Sequence, residues 1–502
     1  MKTKIGQLLV RSSLSLQHLR LIGDIGSLSI STVVSRGLLF LRDLMLAGFL
    51  GPISYGVWIQ MVVIFNYALH LPLGFQHAMS RDVPYFLGRK EYTQVATIED
   101  IVFIVTLSTS ILACFSVFLA YIVFDYHILG LSLLALLIVF AVIIAQQVNS
   151  FFSILLRAHQ KFYVFSIGFV MIALLSLVLS VFFARNFGAI GAAAALGMAF
   201  IIVTIFWISY SPYKPTSIKI NFVDFKKITR LAIPLFMIGL SGLLITSIDR
   251  LIIIFFYDKV HIGYYGLAFM VNQSIFLITM PIMQAIHPRM MQSYGKHGNP
   301  KKIKHYLSFL TQAMGVGVAF LIGIIYLIID KIIIFFLPEF EPAIKIIQII
   351  LLGSSLAVLS SGANAFSVAI NKQTQVLLIQ VMVILFQAIT IGSAAYFGSE
   401  IITIAKIMVL ANFIYSFLSL ALAGFSLQNS VIKGIFFGFK SYFIVLYVLL
   451  CMVIISKWSL ASDQNMVFVK FMQLILFNVV IMPVFIFLFK SIRKLTNELS
   501  PK

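Results

Sequence analysis

Apolar runs of about 20 residues and more, separated by short basic or Gly/Pro-containing breaks, recur from residue 25 to residue 489. An α-helix rises about 1.5 Å per residue, so such a run crosses the roughly 30 Å hydrocarbon core of a bilayer. In lipid the backbone must satisfy its hydrogen bonds within helices or a closed barrel, and runs this long exclude the barrel. The breaks predict fourteen spans, the first seven at 25–48, 53–80, 101–124, 128–156, 162–184, 189–210 and 231–256. The other seven lie at 262–288, 305–329, 343–370, 375–397, 401–427, 438–456 and 466–489. The expectation is an all-α polytopic membrane protein.

Composition sharpens this picture: 61% hydrophobic against 10% charged residues lies outside the range of soluble domains. Cys114 and Cys451 each sit inside an apolar run, and two thiols make neither a disulfide framework nor a four-ligand metal site. A net charge of +20 would suggest nucleic acid in a soluble protein. Here the basic residues punctuate the apolar runs, so membrane orientation explains them and no nucleic-acid partner is expected. With a cytoplasmic N-terminus the inner segments carry 26 of the 36 Lys and Arg. The outer loops hold Arg185, Lys259, Lys331 and Lys457, with Lys345 and Lys470 just inside helix ends. That asymmetry predicts an even number of spans and two cytoplasmic termini. Residues 1–24 lack a short apolar core with a cleavage site and read as a cytoplasmic amphipathic lead-in.

Landmarks recur at a near-constant spacing. Tyr55-Gly56 returns as Tyr265-Gly266, Pro72 as Pro281, Arg81 as Arg289 and Gly88 as Gly295, at offsets of 210, 209, 208 and 207. Six spans separate equivalent points, and an even number makes the repeat parallel. The implied domains are a six-helix bundle at 25–210, a basic linker at 211–230, a second bundle at 231–427, two appended spans within 428–489 and a tail at 490–502. The two bundles are expected to face each other across a central cavity.

Away from the span ends, six charges remain inside spans: Arg36, Arg42, Asp43, Asp249, Arg250 and Lys406. Each costs about 2.5–3.5 kcal/mol on an insertion scale if left near the lipid centre, which argues for a shared wet environment. Arg36 and Asp43 are seven residues apart and share a helical face. The acids either neutralise neighbouring arginines or bind a coupling ion. Four bases exceed two acids, and the surplus suits a phosphate or another anion held by arginine forks. Span two adds Gln60, Asn66, His70, Gln76 and His77, and span eight adds Asn272, Gln273, Gln284 and His287. Of these, Asn66, His70, Asn272 and Gln273 are candidates for reading sugar hydroxyls; interhelical hydrogen bonding is the alternative for each. The same choice covers Gln146, Gln147, Asn149, Asn364, Gln380, Gln387 and Asn412.

Gly188, Gly191 and Gly197 lie in an Ala-rich apolar stretch and read as helix-packing residues, as do Gly315 and Gly317. Walker loops, paired zinc ligands and nucleophile elbows are missing from the sequence, so no cofactor is expected and transport is the favoured class over catalysis.

The run Leu46-Ala47-Gly48-Phe49-Leu50-Gly51-Pro52-Ile53-Ser54-Tyr55-Gly56, after an Arg-bearing first span, resembles the polysaccharide and O-antigen flippase family. So do Asp249-Arg250 followed by Gly263-Tyr264-Tyr265-Gly266-Leu267-Ala268, then Pro288, and Asn371-Lys372 after the tenth span. The resemblance implies the multidrug/oligosaccharidyl-lipid/polysaccharide (MOP) exporter fold. It further implies alternating access carrying an undecaprenyl-pyrophosphate-linked O-antigen, capsule or exopolysaccharide unit from the inner to the outer leaflet of a bacterial plasma membrane. Arg36, Arg42 and Arg250 would be the family's cavity bases, with Lys406 a lesser candidate. Asp43 and Asp249 are candidates for H+ or Na+ coupling. In related lipid II flippases the last two spans form a lipid-tail groove, a role open to residues 438–489. Membrane lipids, a polysaccharide polymerase and glycosyltransferases are the expected partners. A lipid II flippase, a cation-coupled multidrug exporter of the same fold and a non-transporting assembly scaffold are the alternatives.

Overall fold

The computed structural model describes residues 2–123, 132–213, 222–273, 275–428, 430–457 and 472–483. Within them the regular structure is entirely helical. Helices α1 (Lys2–Ala68), α2 (Phe75–Gly88), α3 (Tyr92–Val123), α4 (Leu133–Ala158), α5 (Phe162–Tyr210) and α6 (Phe222–Phe256) come first. Then follow α7 (Lys259–Gln273), α8 (Phe276–His297), α9 (Lys304–Phe309), α10 (Gly315–Phe336), α11 (Ala343–Ala369), α12 (Gln373–Tyr396), α13 (Ile401–Gln428) and α14 (Val431–Lys457). A last apolar helix, α15, covers Met472–Pro483. Ten of the described helices are long and apolar enough to cross a membrane. Two of the ten, α1 and α5, each contain two of the expected spans; α7 with α8 and α15 supply the remainder. The protein is a multi-pass all-α membrane protein.

The chain forms two compact units, one of Met1–Leu50 and Trp58–Leu240, the other of Gly51–Val57 and Ser241–Lys502. In the first unit α4 packs along α5, and α2 lies against α3 and α4. Its core gathers Met79, Ile101, Phe151, Leu155, Trp207 and Ala232. In the second unit α11 packs on α13 and α13 on α14. The two spans expected to be appended are part of this core: Tyr442, Val448 and Met452 of α14 and Phe477 and Ile481 of α15 pack with Leu307, Phe366 and Leu420.

Several expected boundaries move, each for a local reason. Gly51 (φ 65°, ψ 173°) divides α1, and Pro52, which has no N–H to satisfy, opens the second segment. Gly188 (φ 61°, ψ −147°) likewise divides α5, so it is a link between two spans and not the packing residue expected. Gly197 does pack, against Val142 of α4. The linker expected at 211–230 is already helix from Phe222, because Phe225 stacks on Phe75 at 5.5 Å and Ile228 enters the core of the first unit. Residues 214–221 of that linker, Lys470 with most of the fourteenth span, and the tail at 490–502 lie outside the described residues; for the lead-in at 1–24 the backbone alone is described, as helix.

The second span is not continuous over 53–80. It breaks at residues 69–74, between the end of α1 and α2. Pro72 cannot extend a helical ladder, and Leu73 (φ 49°) and Gly74 (φ 83°) take left-handed conformations. A side chain on Gly74 would also collide with the Ala232 carbonyl. Gly74→Ala should therefore cost about 2–4 kcal/mol, from left-handed strain plus overpacking. Gly37→Ala, in helical backbone with open space around it, should be neutral or stabilise by up to about 1 kcal/mol. Melting temperatures of the purified variants check this, and equal values for the two would contradict the assignment of strain to Gly74.

Candidate functional site

Irregular backbone at membrane depth is tolerated where protein or water satisfies it, and interruptions at corresponding spans of a repeat mark binding sites. The first repeat carries one at 69–74; in the second, α7 ends at Gln273 and α8 begins at Phe276, inside the span expected at 262–288, with residue 274 between them outside the described residues and Ile275 in helical conformation. The first break keeps its peptide groups bonded: His70 N–H donates to Tyr67 O (3.0 Å), Leu71 N–H to Ala68 O (2.9 Å) and Leu73 N–H to His70 O (3.0 Å). Gln147 of α4 donates its side-chain amide to Ala68 O as well. His70, whose buried Nδ1 has no hydrogen-bond partner among the described residues, sits in this break, and half-buried Asn66 lies one turn before it. Asn272 and Gln273 end α7 in the second unit, where Asn272 Oδ1 accepts from Ser354.

Charged pairs occupy equivalent places in the two units. In the first, Arg42 Nε and Nη2 both donate to Asp43 Oδ1, at 3.0 and 2.8 Å. The Arg42 guanidinium also lies over the Trp58 ring, 5.3 Å from its centroid. Arg42 is 7% exposed, so the pair and the ring together replace much of its hydration. Two of five guanidinium N–H groups are used on Asp43, which leaves the fork able to donate further.

Arg36 stands differently. Val34, Leu41 and Met45 form an exposed apolar stripe on α1, and Arg36 and Asp43 lie about 180–200° around the helix from it. Arg36 is exposed on that opposite face, and no ion pair holds it among the described residues. An exposed guanidinium on the side of α1 away from that stripe is suited to an anion.

In the second unit Asp249 is 3% exposed and Arg250 7%. Tyr265 donates its hydroxyl to Asp249 Oδ2 at 2.6 Å. Among the described residues Asp249 Oδ1 accepts no hydrogen bond, and it stands 3.7 Å from Arg250 Nε. Arg250 instead donates to the Thr246 carbonyl and stacks over Phe269, 3.3 Å from the ring centroid. The arrangement repeats that of Arg42 and Trp58, with the order of acid and base reversed. Lys406 joins neither pair. It lies on an exposed stripe with Leu410 and Phe413, about one and a half turns into α13, where its stem can run along lipid and carry the ammonium to the interface.

Most of the remaining polar candidates are interhelical glue. Gln76 bonds Ser150 (2.8 Å) and Thr106 (3.4 Å), and Asn149 bonds Thr204 (3.0 Å). Asn364 and Gln380 share the Tyr415 hydroxyl, and Gln387 donates to Ile245 O. Sequence reasoning missed the aromatic partners Trp58, Tyr265 and Phe269. It also missed a buried cluster at the start of α3, where Glu99 meets His159 Nε2 (2.6 Å) and Asp100 accepts from Tyr213 (2.9 Å). Burial, helped by the two carboxylates, holds the Tyr213 phenol above its ordinary range. The recurring Tyr-Gly landmark was the available signal for Tyr265.

Residues 21–294 match the model of a family described as "Polysaccharide biosynthesis protein". Among solved structures the chain is similar to the lipid II flippase MurJ in an inward closed conformation, at TM-score 0.68 and 18% identity, covering 91% of this chain and 98% of that one. It is also similar to an inward-facing multidrug resistance MATE transporter of the MOP superfamily (TM-score 0.63, 15% identity, 82% and 96%). A MOP superfamily transporter from Pyrococcus furiosus gives TM-score 0.55 at 15% identity over 84% and 96%. These likenesses show the MOP exporter fold. No curated protein sequence matches.

Removing one partner of a buried pair leaves an uncompensated charge. Asp249→Ala should therefore destabilise the protein by about 3–5 kcal/mol, whereas Arg36→Gln should change stability by less than about 1 kcal/mol. Thermal unfolding of purified variants reads both, and a stable Asp249→Ala protein would show that Arg250 does not depend on the carboxylate.

Proposed function

The chain belongs to the polysaccharide biosynthesis protein family, and from that premise we propose that it is a flippase for an undecaprenyl-pyrophosphate-linked oligosaccharide. It works by alternating access, moving an O-antigen, capsule or exopolysaccharide unit from the inner to the outer leaflet of a bacterial plasma membrane. The observation that carries this reading is Arg36, exposed and without an ion pair among the described residues on the face of α1 opposite its apolar stripe. It is the base left available to a pyrophosphate once Arg42 is engaged with Asp43 and Trp58. Arg42 adds positive field and spare donors to the same group. A cell negative inside favours outward passage of each negative charge by about 2.3 kcal/mol per 100 mV across the full field. Asp249, with one oxygen free of hydrogen bonds, is the coupling-ion position in this reading.

Purified protein in liposomes should translocate an intact lipid-linked oligosaccharide without ATP. Arg36→Lys should retain part of the rate, because charge persists while the bidentate fork is lost, and Arg36→Glu should fall at least tenfold. Lys406→Gln should match wild type. Full-rate transport by a normally folded Arg36→Glu protein would remove the basis of the proposal.

Cytoplasmic termini place α8 and its following turn inside and the α12–α13 turn outside. A cysteine at Glu400 should react with an impermeant thiol reagent added to intact cells, and one at Gln292 should not; both positions are exposed. Labelling of Gln292→Cys from outside would reverse the orientation.

A further inference from the structure

The second unit contains a cavity of about 1040 Å³ that neither charged pair lines. Its walls come from α9, the turn into α10, the end of α13 and the first half of α14. Lys304 and Lys433 stand in its lining, which among the described residues includes no acidic one. Both lysines are exposed, each near the start of its helix, and no ion pair neutralises either among the described residues.

Below Lys433 the lining turns aromatic. Phe436, Phe439 and Phe443 line the cavity and stay 69%, 59% and 76% exposed. They recur at helical spacing along α14, so they form a stripe leading away from the lysine. The position of α14 is fixed: Gly434 meets α13 in backbone contact at Ala421 and Phe425, and Tyr442 and Val445 are buried in the core. The opposite wall carries a π-helical turn at Leu310–Met314, where Thr311 and Gln312 line the cavity. Such turns cost regular hydrogen bonding and occur frequently at functional sites.

A cavity with two cationic heads, a few hydroxyl and amide groups and an exposed aromatic stripe matches a phosphate attached to apolar chains. Basic pockets between spanning helices bind anionic lipid headgroups through the same combination. We propose that Lys304 and Lys433 bind the phosphate of an anionic glycerophospholipid, with its acyl chains along Phe436, Phe439 and Phe443. The lipid is a resident of the second unit and not the cargo: the wall that continues from Lys433 is Phe436, Phe439 and Phe443, which offers sugar hydroxyls no hydrogen-bonding group. The proposal does not rest on the identity of the transported substrate.

The test is native mass spectrometry of the detergent-purified protein titrated with phosphatidylglycerol or phosphatidylethanolamine. Wild type should retain phosphatidylglycerol at least tenfold more tightly than the double variant Lys304→Gln/Lys433→Gln, and phosphatidylethanolamine should bind both alike and weakly. Lys226→Gln, an exposed lysine of the first unit, should leave lipid retention unchanged. A second reading uses Phe439→Trp, whose fluorescence should be quenched more by brominated phosphatidylglycerol than by brominated phosphatidylethanolamine. Inorganic phosphate at millimolar concentration should not relieve that quenching. Equal retention of phosphatidylglycerol by wild type and the folded double variant would overturn the proposal, as would equal quenching by the two lipids. Displacement of phosphatidylglycerol by equimolar undecaprenyl phosphate would also overturn it, by assigning the cavity to the carrier lipid.

Discussion

A peptide group left unbonded in hydrocarbon costs several kcal/mol, and the departures from helix at Gly51, Gly188 and 69–74 are arranged around that cost. Gly51 and Gly188 change the chain's direction with one left-handed residue each. The longer break at 69–74 needs more: three short-range backbone bonds and the Gln147 amide on the Ala68 carbonyl. Such a break persists because the surrounding helices are shaped to it, with Gly74 against Ala232 and Phe75 against Phe225. Interruption and packing are two aspects of one requirement. His70, the polar side chain in this break, is tolerated for the same reason.

Charges obey the same constraint more severely. Two of the four intramembrane bases are each tied to an adjacent acid and laid on an aromatic face, Trp58 for Arg42 and Phe269 for Arg250. An aromatic ring supplies attraction without needing hydrogen bonds of its own, so it can partly replace water where a second carboxylate would need a partner in turn. Lys406 meets the constraint by position and Arg36 by the face on which it stands. Four bases against two acids leave Arg36 and Lys406 outside the two ion pairs among the described residues.

The number and order of the helices were legible in the sequence because hydrophobic length is a direct consequence of bilayer thickness. Periodicity also placed Arg36 and Asp43 on one face correctly. The breaks were not legible: Pro72 and Gly74 are visible, yet proline and glycine occur often in spanning helices, and the bonds that make this break possible come from Gln147, some seventy residues away. Glu99 and Asp100 escaped because they fall just outside the expected third span, where charge looks ordinary; their burial depends on His159 and Tyr213 arriving from α4 and the end of α5.

Duplication supplied two similar frameworks, and the differences between them are chemical. Tyr265 donates to Asp249, whereas its counterpart Tyr55 donates to the Met270 sulfur at 3.7 Å. Asp43 is bound by two guanidinium donors and its side chain is 24% exposed; Asp249 is 4% exposed, with a phenol on one oxygen and none on the other. The first carboxylate is held by an arginine with water beside it, and the second by a phenol in a more buried place. A repeated pair of positions accommodates both because the change that separates them lies in the hydrogen-bond partners, while the helices that carry them keep the same order.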